Sequence, residues 1–129
     1  MSDIVIDASA LLAMLNAEPG GAKVAARIAS ARISAINYAE VASHFVKAGM
    51  PEREVDAMLA PLPMTIVDVD PGLARLAGRL SAVPADPLLS IGDRFCLALA
   101  IRDGAPAWTA DRKWRAITSE AKVEVVVIR

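Results

Sequence analysis

The chain has one cysteine, one histidine and almost no charge imbalance, and each scarcity removes a class of explanation. A lone Cys96 cannot close an internal disulfide, and its setting in Phe95-Cys96-Leu97-Ala98-Leu99 is that of a small core residue. One cysteine and one histidine cannot supply the Cys/His cluster of a structural zinc site. Fourteen basic residues against fifteen acidic ones leave a formal charge of −1, so no global positive field attracts a polyanion. No apolar run approaches the roughly 20 residues that span a bilayer. The start Met1-Ser2-Asp3-Ile4 also lacks the basic and long apolar segments of a signal peptide, so a soluble, cytoplasmic protein with no membrane partner is expected. A Pro/Gly-rich linker, a low-complexity tract, a sustained charge run and an internal repeat are all missing, which predicts one domain over residues 1–129.

What is present is apolar residue, at 55% of the 129 positions, enough for a core on both sides of a sheet. Ile4-Val5-Ile6 reads as a buried strand, and Ala8 to Asn16 as a helix closed by Glu18-Pro19-Gly20-Gly21. Val24, Ala25 and Ile28 give the next helix its apolar face, and Arg32-Ile33-Ser34-Ala35-Ile36 reads as a second strand. A helix follows from Asn37 through Tyr38 to Lys47, stopped by Gly49, and another runs from Pro51 to Leu59. Met64 to Val69 is a third strand, Leu73, Leu76, Ala77 and Leu80 mark a helix, and Val83 to Pro87 is a loop. Ile91 to Arg102 is apolar on nearly every side and is expected to be buried, Ala107-Trp108-Thr109 follows it, and Val123 to Ile128 is the clearest strand. Such alternation implies an α/β fold with a mostly parallel five-stranded sheet covered on both faces, a three-layer α/β/α sandwich.

Four acids stand at junctions of this pattern: Asp7, Glu40, Asp93 and Asp111. Each taken alone is explained by a helix cap. Asp7 can cap the helix from Ala8, Asp111 a turn over Arg112 to Ala116, and Asn37/Glu40 and Ser90/Asp93 both have capping-box spacing. Taken together, four carboxylates at one edge of a sheet repel one another unless a cation lies between them. Hard oxygen donors without a Cys/His cluster point to Mg²⁺ or Mn²⁺. A divalent ion so held can activate water and neutralise charge on a leaving oxygen, which suits phosphodiester hydrolysis.

The segments Ile4-Val5-Ile6-Asp7-Ala8-Ser9-Ala10-Leu11-Leu12, Asn37-Tyr38-Ala39-Glu40-Val41, Leu89-Ser90-Ile91-Gly92-Asp93-Arg94-Phe95-Cys96-Leu97-Ala98-Leu99-Ala100 and Thr109-Ala110-Asp111-Arg112-Lys113-Trp114 resemble, in order, the motifs of PIN-domain ribonucleases. The similarity is greatest to the VapC-type toxins of toxin–antitoxin pairs, and it runs the length of the chain. It implies a PIN-like fold and a Mg²⁺- or Mn²⁺-dependent endoribonuclease with Asp7, Glu40, Asp93 and Asp111 in the acidic site. Asp7, Asp93 and Asp111 are taken as the metal residues, Glu40 as a water-mediated ligand or a positioner of the attacking water, and Ser9 and Thr109 as supporting hydrogen-bond partners. The resemblance further implies an RNA substrate, a cognate antitoxin and a homodimer. A non-cleaving PIN-like scaffold for RNA or protein is the alternative, although it would be expected to lack an acid.

Arg94, Arg112, Lys113 and Arg115 lie beside two of these acids and are candidates for RNA phosphates, against the plain alternative of solvated surface charge. Trp114 stands where the family often has Phe, and core packing is favoured over base stacking. His44, one turn beyond Glu40, is given a structural or surface role. A receiver domain would need a lysine after its last strand, whereas Lys122 precedes Val123. A haloacid-dehalogenase-type phosphatase would need Asp where Ser9 stands. The helix pair from Tyr38 to Ala60, with Val41, Phe45, Val55, Met58 and Leu59, is expected to leave apolar surface for partners.

Overall fold

The first strand sets the layers. In the computed structural model, which describes residues 2–85, 88–117 and 122–129, β1 (Ile4–Ile6) is buried along its whole length. Its side chains alternate between faces, as a period of two requires. Ile4 and Ile6 enter one core with Leu11, Val24, Ile33, Val41 and Phe45. Val5 enters the other with Leu73, Ala77, Leu97, Leu99 and Trp114. Two cores on opposite faces of one sheet make the expected α/β/α sandwich.

Five strands form the sheet: β1, β2 (Ala31–Ser34), β3 (Thr65–Val67), β4 (Ala107–Thr109) and β5 (Val125–Val127). Their order is β3-β2-β1-β4-β5 and every pairing is parallel. The chain therefore builds outward from β1 on one side, then crosses to β4 on the other. That reversal creates a crevice beyond the carboxyl ends of β1 and β4, the position where open parallel sheets accept ligands.

Six α-helices are described: α1 (Ala8–Leu15), α2 (Gly21–Ala25), α3 (Ala35–Lys47), α4 (Glu52–Leu59), α5 (Pro71–Arg79) and α6 (Ile91–Asp103). Helix α6 is the most enclosed, with Phe95 through Ala100 all buried, and it ends at Gly104, whose φ of 62° suits a left-handed C-cap. Arg112–Ile117 forms a 3-10 turn that seats Trp114, only 2% exposed, in the core beneath the sheet. Burial removes base stacking from its roles. Cys96 is buried too, and loss of solvent raises its thiol pKa well above the usual range.

Several boundaries differ from those read in the sequence. The second strand stops at Ser34, because the Ser34 hydroxyl accepts from Asn37 N at 3.1 Å and starts α3 at Ala35. The third and fifth strands are three residues each, shorter than Met64–Val69 and Val123–Ile128. The segment around Val24 is a short helix followed by a separate 3-10 turn, Ile28–Ser30. Of the loop from Val83 to Pro87, residues 86 and 87 lie outside the described residues. The apolar residues expected to be exposed on the α3–α4 pair are instead covered, Val41, Phe45, Val55 and Leu59 being buried and Met58 packing against them, while Val46 of α3 is exposed. Among the described residues no helix is long and apolar enough to cross a membrane.

Candidate active site

Asp7 is the first residue past β1 and caps α1, its Oδ1 accepting from Ala10 N at 2.8 Å. Two hydroxyls complete its shell: Ser9 Oγ donates to Oδ1 at 2.7 Å, and Thr109 Oγ1 donates to Oδ2 at 2.6 Å. These hydroxyls also accept from the backbone, Ser9 Oγ from Ala110 N at 2.9 Å and Thr109 Oγ1 from Asp111 N at 3.1 Å. The end of β4 is thus stitched to the end of β1 through one carboxylate. Burial, with Asp7 only 6% exposed, raises its pKa from an ordinary 3.8 to about 6. Hydrogen bonds from Thr109, Ala10 and Ser9 oppose that rise, and the negative charge of Asp93 adds to it.

Asp93 and Asp111 serve their own backbones as well. Asp93 closes a capping box on α6, accepting from Ser90 N at 2.9 Å while Ser90 Oγ accepts from Asp93 N at 3.1 Å. Asp111 Oδ1 accepts from Lys113 N at 2.9 Å and so shapes the following 3-10 turn. Glu40 does not. The Asn37/Glu40 capping box read in the sequence is absent, because Ser34 is the N-cap of α3 and Glu40 falls in the second turn. Its Oε1 instead accepts from the Asn37 side-chain amide at 2.8 Å.

All four acids line one cavity of about 310 Å³ at the switch point, with Ser9 and Asn37. Among the described residues no three acidic, histidine or cysteine side chains are gathered tightly enough to form a finished ligand set. The donor chemistry nevertheless fits a hard divalent cation, since all four groups are carboxylates lining one cavity and the charge of Asp93 already acts against that of Asp7. Asp93 Oδ1, Asp111 Oδ2 and Glu40 Oε2 accept no protein hydrogen bond among the described residues.

The basic candidates divide. Arg112, Lys113 and Arg115 are exposed on the turn after Asp111. Arg94 is half-buried and donates from Nη1 to Ala77 O at 3.4 Å, which directs it to α5. His44 is exposed on α3, edge-on to Phe45, and is not part of the acidic cavity. Two site residues were not identified from sequence: Asn37, taken as a cap, and Gly92, whose place in the first turn of a helix was the available signal.

Comparison with known proteins agrees with this fold. The model of the PIN domain family matches residues 4–120. No curated protein sequence matches the chain. Among solved structures, a toxin–antitoxin complex from Klebsiella pneumoniae is similar at a TM-score of 0.73 and 18% identity, covering 98% of each chain. DNA-bound VapBC from Salmonella typhimurium is similar at 0.74 and 17%, again over 98% of each chain. VapC20 of Mycobacterium tuberculosis, described as a sarcin-ricin loop cleaving toxin, is similar at 0.70 and 17%, over 88% of this chain and 94% of its own.

Proposed function

We propose, from the premise that the chain belongs to the PIN domain family, that it is a divalent-metal-dependent endoribonuclease and the toxin of a toxin–antitoxin pair. The observation that carries this reading is the convergence of Asp7, Glu40, Asp93 and Asp111, from four separate segments, on one cavity at the sheet's switch point. The fold shared with toxin–antitoxin complexes supports the toxin assignment.

Asp7, Asp93 and Asp111 would hold Mg²⁺ or Mn²⁺. When bound, such an ion lowers the pKa of water and offsets charge on the leaving oxygen. The chain supplies the rest. Ser9 and Thr109 keep the Asp7 carboxylate in one orientation, so it meets a cation without reorganising. Glu40 presents Oε2 to the attacking water while Asn37 retains Oε1. Arg112, Lys113 and Arg115, exposed beside Asp111, contact phosphates flanking the scissile bond. RNA is the proposed substrate, and a cognate antitoxin and a second copy of the chain are the proposed partners.

The test is a mixed RNA pool incubated with the protein in Mg²⁺, in Mn²⁺ and in EDTA, beside Asp7→Asn and Asp93→Asn. Cleavage is expected only for the unaltered chain with a divalent ion. Cleavage that survives chelation and both substitutions would overturn the metal-site mechanism. Absence of cleavage in every lane would favour a non-cleaving scaffold.

A further inference from the structure

We propose that Asn37 and Gly92 are positioning residues, a two-part clasp that holds the Glu40 carboxylate at the acidic cavity; this rests on the nuclease reading above.

Asn37 is 1% exposed, and a buried amide is costly unless each polar group finds a partner. Its Oδ1 accepts from Ser34 Oγ at 2.7 Å, and its Nδ2 donates both to Glu40 Oε1 at 2.8 Å and to Gly92 O at 3.0 Å. The amide can sit only this way round. Flipped, it would set Oδ1 against a carboxylate and a carbonyl, two acceptors with no proton between them. Its orientation is therefore locked, and so is the donor aimed at Glu40.

Gly92 supplies the other half. Glycine is among the poorest helix formers, so its presence in the first turn of α6 asks for a reason. A methyl group there would lie 2.6 Å from the Glu40 carboxylate carbon, well inside contact distance. The missing side chain makes room for the carboxylate, and the Gly92 carbonyl anchors the amide that holds it. Because Asp93 follows Gly92 on α6, the clasp also ties Glu40 to the turn that carries a second acid.

The obstruction from a methyl group would be the far end of a flexible side chain, so Gly92→Ala can relax by moving Glu40 away without disturbing the fold. Gly92→Ala is therefore expected to keep or raise the melting temperature while kcat on RNA falls about 10- to 100-fold, the scale of a displaced catalytic group. KM should stay within about twofold. In a Glu40→Gln background the same change should cost less than about twofold, since two residues acting through one carboxylate are not additive. Wild-type kcat in Gly92→Ala, or an equal loss in both backgrounds, would overturn the clasp. A readout independent of catalysis is the NMR signal of the Asn37 side-chain amide, which should shift in both Glu40→Gln and Gly92→Ala. An unmoved signal would overturn the clasp. An unaltered chain that cleaves no RNA would retire the nuclease reading and leave this spectrum to decide the clasp.

Discussion

At Asp7 two requirements conflict: the fold buries the carboxyl group, and the proposed chemistry needs its charge. Burial raises its pKa from 3.8 to about 6, so between these values the folded chain binds more protons than the unfolded one. Stability contributed by this group is therefore full at low pH and lost as pH rises through about 4 to 6. A displacement of that size corresponds to roughly 3 kcal/mol. Asp7→Asn keeps an oxygen for Ala10 N and Ser9 and offers an NH₂ to Thr109 Oγ1, so the hydrogen bonds can survive. In EDTA at pH 7.5 this variant should be more stable than the unaltered chain by on the order of 1–3 kcal/mol. That advantage should vanish below about pH 4. Melting curves between pH 4 and 8 decide the matter: parallel pH profiles for the two proteins would remove the buried-charge account. Cys96 gives a second residue-scale expectation. Its buried, un-ionised thiol should react with a disulfide reagent only at the rate of unfolding, and rapid labelling of the native protein would contradict its placement inside α6.

Among the elements, α6 depends most on its first turn, because Ser90 and Asp93 satisfy its leading N–H groups reciprocally. Ser90→Ala should cost about 1 kcal/mol, and Ser90→Gly only a few tenths. Chemical denaturation would measure both, and equal losses would point away from capping. The capping box at Ser90 was legible in the sequence because helix and box begin together after a loop. The start of α3 was not. Arg32 to Ile36 alternates like a strand, yet Ser34 captures Asn37 N and winds the chain into a helix, and Ile36 packs against the α5–α6 core from there. A local hydroxyl bond outweighed β-branched propensity. That shift of three residues removed the capping explanation from one of the four acids. Glu40 has no capping role, whereas Asp7, Asp93 and Asp111 each serve a nearby N–H. Strand and helix order, the parallel sheet and the strand-end acids were readable because period and motif order carry them. Asn37 and Gly92 were not, since their contact joins positions 55 residues apart.

For the molecule as a whole, four carboxylates line the switch-point cavity, and the charge of Asp93 acts against that of Asp7, a repulsion the proposed cation would relieve. Binding to the folded state alone adds stability as RT ln(1 + [L]/Kd), about 2.7 kcal/mol when free ion is 100-fold above Kd. For a domain of this length that is a rise of on the order of 10 °C in melting temperature. The rise should be large at pH 7.5 and small at pH 5, because protons compete with the ion for Asp7 while its pKa lies near 6. In Asp7→Asn the rise should shrink at both pH values, and in a chain with Asp7 and Asp93 both replaced by Asn it should disappear. Ca²⁺, larger and content with irregular oxygen shells, should stabilise without necessarily supporting cleavage, which separates occupancy from catalysis. Thermal scans across an ion series at the two pH values test the whole arrangement at once. An equal rise in the double variant would place the binding elsewhere on the surface, and the convergence of the four acids would then have to be explained by their helix caps alone.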